Sequence, residues 1–214
     1  MSDFSAGLFT LTRYKERVYP FLLKDELLIQ YNEKWVGKLS PKDMSIDYSP
    51  QTMELTKSVP FLHIMNGEDH NFFMCILHEG NVKCQLDIPY NIEGNLYSQI
   101  AYELYGDNCW DIIMGSAEKE EHVAEETAKY MKEKNVLETV FMKACNKLDM
   151  KMFSLFGIND NMQSKMKLVL TLENYIQDSH GMVHNFLDCI GLNDFSFVSY
   201  DDVSYGGDDR FILL

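Results

Sequence analysis

Two imidazoles four residues apart, His180 and His184, would face a single metal ion if their segment is helical. No glutamate follows the first histidine and Gly181 weakens a helix there, so the spacing reads as a coincidental exposed pair. His63, His70 and His78 fall near strand ends beside Glu68, Asp69 and Glu79, yet their spacing matches no known ligand frame. A hydrolase nucleophile needs a sharp turn such as Gly-x-Ser-x-Gly, which is absent; Gly115 with Ser116 and Ser179 with His180 are isolated pairs. No phosphate-cradling glycine run occurs, and Gly206 and Gly207 precede Asp208 and Asp209, whose charge repels phosphate. The acidic pairs Asp201–Asp202 and Asp208–Asp209 lack the alternation of a calcium loop and read as solvated surface. No catalytic residue, metal ligand or cofactor is therefore expected.

The five cysteines (Cys75, Cys84, Cys109, Cys145, Cys189) are odd in number, scattered and without a CxxC pair. Cys75 and Cys84 could meet across a hairpin, but buried free thiols are the expectation. Acidic residues outnumber basic ones 33 to 19, for a net charge of −14. A surface of that sign repels phosphate backbones and anionic lipids, which disfavours nucleic acid and membranes as partners and suits a basic protein partner. No apolar run reaches the roughly 18 residues of a membrane span, and the start of the chain lacks the pattern of a secretory signal. A soluble protein made in a cytoplasm is expected.

The elements that must position these residues change type along the chain. All five prolines lie at or before Pro89. Strand-like segments are read at residues 9–12, 18–23, 27–31, 53–56, 61–65, 72–77 and 82–88, with turns at Asn66–Gly67 and Gly80–Asn81. Val82, Cys84, Leu86 and Ile88 alternate with polar residues, as in a half-buried strand. From Ser116 onward the periodicity is helical: one long helix over 136–156, stopped by Gly157, another over 162–177 and a shorter one over 182–190. The expected fold is α+β, with a β-rich region over 1–92, a helix pair over 93–116, a helical region over 117–192 and an acidic, aromatic tail over 193–214.

Residues 96–114 carry the most specific wording. Leu96, Ile100, Ala101 and Leu104 fall on one helical face, Gly106–Asp107–Asn108 breaks it, and Trp110, Ile113 and Met114 resume an apolar stripe. Gly106 can close the first helix in a left-handed conformation, and Asp107 or Asn108 can cap the second. Ile100–Ala101, Tyr105–Gly106–Asp107, Trp110 and Ile112–Ile113 resemble a signature of contractile-tailed phage baseplate and tail proteins, shared by LysM-like modules and a wedge protein of T-even phages. The resemblance covers about twenty residues, with residues 82–88 available as the first strand of such a unit. It implies a packing and interface role for Ile100, Leu104, Tyr105, Gly106, Asp107, Trp110 and Ile113. With Trp110 as the buried anchor, Trp110→Ala is expected to cost about 3–5 kcal/mol. The chain departs from the family after Met114: an acidic helical segment replaces the return strand, which removes the region that LysM modules use for sugar binding.

The resemblance implies a non-enzymatic part of a contractile tail baseplate, most specifically its wedge, located in the virion, with other tail proteins and self-association as partners. A tail assembly chaperone and a host-directed phage protein are the alternatives. The apolar end, Phe211, Ile212, Leu213 and Leu214, must dock somewhere: on its own chain, or as an added strand on a partner. These four are the candidate partner-docking residues.

Overall fold

Alternation of apolar side chains lays down a sheet covered on both faces. The computed structural model describes residues 4–42, 45–67, 70–196, 198–206 and 211–214. Among these, seven strands form one antiparallel sheet: β1 (Phe4–Leu11), β2 (Leu27–Gln30), β3 (Trp35–Leu39), β4 (Phe61–Gly67), β5 (Asn71–His78), β6 (Asn81–Pro89) and β7 (Ile212–Leu213), in the order β6-β5-β4-β1-β3-β2-β7. The β5–β6 hairpin turns at Glu79 and Gly80, both with positive φ (52° and 71°), the geometry that matches the twist of paired strands.

Phe9, Ile29, Trp35, Leu62, Met74 and Leu86 project to one face and are buried there by helices. Leu8, Leu28, Val36, Phe61, Phe73 and Cys75 project to the other. Two short helices, α1 (Lys15–Val18) and α2 (Pro50–Leu55), contribute Val18 and Leu55 to that second core. Ser49 caps α2 by accepting from the Thr52 N–H at 3.1 Å, and Pro50 stands at its first position, where no amide is needed.

The remaining helices are α3 (Ile92–Tyr105), α4 (Cys109–Met114), α5 (Ala117–Glu133), α6 (Val136–Cys145), α7 (Asp160–Val169), α8 (Leu172–Gln177), α9 (Ser179–Ile190) and α10 (Tyr200–Gly206). Phe141 of α6, Met166 of α7, Tyr175 of α8, five apolar residues of α9 and Val203 of α10 pack on the first face of the sheet. By contrast α3, α4 and α5 share a third core of their own: Ile100, Ala101, Cys109, Ile113 and Val123. The fold is thus mixed α+β. The helical stretch expected over 117–192 divides, α5 joining the helix pair and α6 onward completing the core of the sheet.

Several local expectations are corrected. Residues 18–23 are not a strand: Tyr19–Phe21 form a 3₁₀ turn, with Pro20 supplying the fixed φ. Residues 53–56 belong to α2 and its C-cap, the Ser49–Pro50 start outweighing the apolar alternation. The helix over 136–156 ends at Cys145; Asp149 then caps a 3₁₀ segment, Met150–Phe156, through the Lys151 N–H at 3.0 Å. Residues 162–177 form two helices because the Thr171 hydroxyl caps α8. Strand β3 was not expected. Cys75 pairs with Gln85 and Cys84 with Ile76, so the two thiols lie on opposite faces and both are free.

Candidate interaction surface

The helix pair over 92–114 is built from its polar ends inward. The Asn91 side chain accepts from the Gly94 N–H at 3.0 Å and starts α3. Gly106 ends it with φ 71° and ψ −157°, outside the left-handed helical well expected there and in a region open essentially to glycine alone. A Cβ at Gly106 would meet nothing within 4 Å, so the constraint is the backbone and not crowding. A 3₁₀ turn, Gly106–Asn108, then leads directly into α4, and neither Asp107 nor Asn108 caps it with its side chain.

Helix α4 is only six residues long and packs along one side. Cys109 and Ile113, one turn apart, are buried in the core shared with α3 and α5; Trp110 and Met114, rotated by one residue, lie outside that core, Trp110 half-exposed and Met114 almost fully so. Trp110 is therefore no buried anchor: it is 49% exposed and stacks on Tyr97 with ring centroids 6.2 Å apart. Leu104 is likewise exposed, because α3 packs through Tyr97, Ile100, Ala101 and Tyr105. Tyr105 is half-buried beneath the Lys119 ammonium, 5.4 Å from its ring centre. Of the seven residues expected at this interface, Ile100 and Ile113 are core, Tyr105 and Gly106 are intermediate, and Leu104, Asp107 and Trp110 are outward. Tyr102, Met114 and Tyr130 extend the exposed apolar set.

The anchoring tryptophan is Trp35 on β3, fully buried. Its indole N–H donates to the Ile190 carbonyl at 3.0 Å, and its ring lies 5.3 Å from that of Phe156. It ties the sheet to the C-terminal end of α9.

The C-terminal residues dock at home. Ile212 and Leu213 pair with Gln30 and Ile29 on the edge strand β2, the Leu214 N–H donates to the Leu28 carbonyl at 2.9 Å, and Phe211 stacks on Tyr31 at 5.4 Å. Partner docking by Phe211, Ile212, Leu213 and Leu214 is thus replaced by strand addition within the chain, which satisfies the otherwise open edge of β2. Phe197, Gly207, Asp208 and Asp209 lie outside the described residues.

A polar cluster sits under the second face. The Tyr48 hydroxyl lies 2.7 Å from Nδ1 of His63 and 3.1 Å from the Cys75 thiol. Burial pushes the Cys75 thiol up to about 11, opposed by its hydrogen bond to Tyr48, and burial followed by the Cys75 charge pushes the Tyr48 hydroxyl higher still. The thiol is thereby held in its protonated form near neutral pH, the reverse of an activated nucleophile. Nearby, the Lys38 ammonium and the Glu26 carboxylate form an ion pair with 3% and 6% side-chain exposure. Tyr48, His63, Lys38 and Glu26 border a cavity of about 420 Å³ with Leu8, Leu23 and Thr52. Lys38 went unnoticed in the sequence because its partner lies twelve residues away on the far side of a turn.

The histidines are dispersed. His180 stacks on Tyr90 at 3.8 Å, His184 is exposed one turn further along α9, and His63 is enclosed between Tyr48 and Phe73. Among the described residues no group of three His, Cys, Asp or Glu side chains converges as a metal site; Glu68 and Asp69 lie outside them. No helix among the described residues is long and apolar enough to cross a membrane. No family model, curated protein or solved structure matches the chain.

Proposed function

We propose that this protein is a non-catalytic assembly component that joins neighbouring proteins through the α3–α5 unit, and that it serves in the baseplate wedge of a contractile phage tail. The observation that carries the assembly reading is the division of α4, which buries Cys109 and Ile113 while leaving Trp110 and Met114 to solvent. An exposed Trp on a unit that already has its own core suits an interface better than it suits stability, since Trp is enriched where proteins meet. The tail assignment rests on the resemblance of residues 96–114 to the baseplate signature.

Quantitative mass spectrometry of contractile-tail particles purified from the encoding genome tests this. Stoichiometric presence of the chain in finished particles supports the wedge reading. Absence from them overturns it, and recovery only from assembly intermediates would make the protein an assembly factor.

A further inference from the structure

Helices α3 and α5 leave a shallow groove of about 200 Å³ between them. Its apolar part is Ile100, Leu104 and Tyr130; Glu103, Glu126 and Glu133 stand around it against a single ammonium, Lys129. That ammonium is already engaged with Glu126 at 3.5 Å, and Glu103 accepts from the Gln99 side chain at 2.8 Å. The groove is thus an apolar strip inside a negative field. We propose that it binds a basic amphipathic helix of a partner protein, which seats an apolar side chain between Leu104 and Tyr130 and sets Lys or Arg against Glu103, Glu126 and Glu133. This rests on the assembly reading above and names the partner's chemistry.

Charge selects the occupant. A second copy of this chain carries a net charge of −14 and would bring like charge to the groove. A phosphate backbone or anionic membrane is repelled for the same reason. A basic helix gains the field during approach and buries apolar surface on arrival, the helix-in-groove mode of recognition.

The test uses the full-length chain and a fluorescein-labelled Leu/Lys amphipathic peptide of about 14 residues, four helical turns. Fluorescence anisotropy should show saturable binding that weakens with added salt, and a peptide with Glu in place of Lys should not bind. The combined variant Glu103→Gln, Glu126→Gln and Glu133→Gln should weaken binding by roughly tenfold. So should Leu104→Ser, which leaves the charge unchanged. A control changing Glu118, Glu121 and Glu125 of the same helix to Gln should stay within about twofold. Absence of binding, or equal weakening by the two glutamine sets, would overturn the proposal, the second result meaning that only overall charge is sensed. Circular dichroism verifies that each variant is folded. Absence of peptide binding by the wild-type chain, with its normal incorporation into tail particles, would refute the groove alone; peptide binding by the wild-type chain without its incorporation would refute the baseplate role alone.

Discussion

The two tryptophans invert the roles their settings in the sequence suggest. Trp110 stands in a helical stripe with Ile113 and Met114, but periodicity marks a face without saying whether the covering surface belongs to the same molecule. Trp35 stands in a short segment with Gly37 and Lys38, which hides a central strand; Gly37 is required because the Phe9 ring occupies the space of a Cβ, 2.8 Å away. Trp35→Ala should therefore destabilise the fold by about 3–5 kcal/mol, and Trp110→Ala by less than about 1 kcal/mol, in chemical denaturation. The cysteine expectation was legible, since an odd, scattered set without a CxxC pair suits free thiols; all five are free, with Cys75, Cys84 and Cys109 buried and Cys145 and Cys189 half-buried. Its consequence is a pH dependence. Below pH 9.0, the ordinary value, the Cys75 thiol is protonated in both folded and unfolded chains and contributes nothing. Above it the unfolded chain loses its proton first, so stability falls between pH 9.0 and about 11. The slope attributable to Cys75 approaches about 1.4 kcal/mol per pH unit, and Cys75→Ala should flatten it in unfolding curves taken across that window.

Strands β4, β5 and β6 were readable because each alternates or runs apolar between clear turn residues. The long helical stretches were readable as helical but not in their breaks, where single side chains, Asp149 and Thr171, end one element and start another. The buried pair of Lys38 on β3 and Glu26 before β2 was invisible for a different reason: only the β2–β3 hairpin brings them together. Removing one partner leaves an uncompensated charge, so Glu26→Leu should cost about 3–5 kcal/mol, while Glu26→Leu with Lys38→Met should recover most of it. Thermal unfolding of the single and double variants decides this. Strand β7 supplies a test at the sheet edge. Deleting residues 211–214 removes two strand pairings and the Phe211–Tyr31 stack. The truncated chain should fold but lose about 1–3 kcal/mol, whereas unchanged stability would mean that the tail contributes nothing at home.

At the scale of the molecule, two bodies of packing are joined in one chain. The sheet is buried from both sides, and its second face holds a set of mutually paired polar groups beside a cavity. The α3–α5 unit closes its own core with five buried residues and turns Leu104, Trp110 and Met114 outward. Its helix pair was the most legible part of the sequence, whereas the direction of its side chains was not, because the packing partner is α5, which lies beyond the pair in the chain. The most direct measurement pairs stability with incorporation for the double variant Leu104→Ser and Trp110→Ser. The account predicts an unfolding midpoint within about 5 °C of the wild type together with loss of the chain from purified tail particles. A large fall in the midpoint, or undiminished incorporation at normal stability, would contradict it.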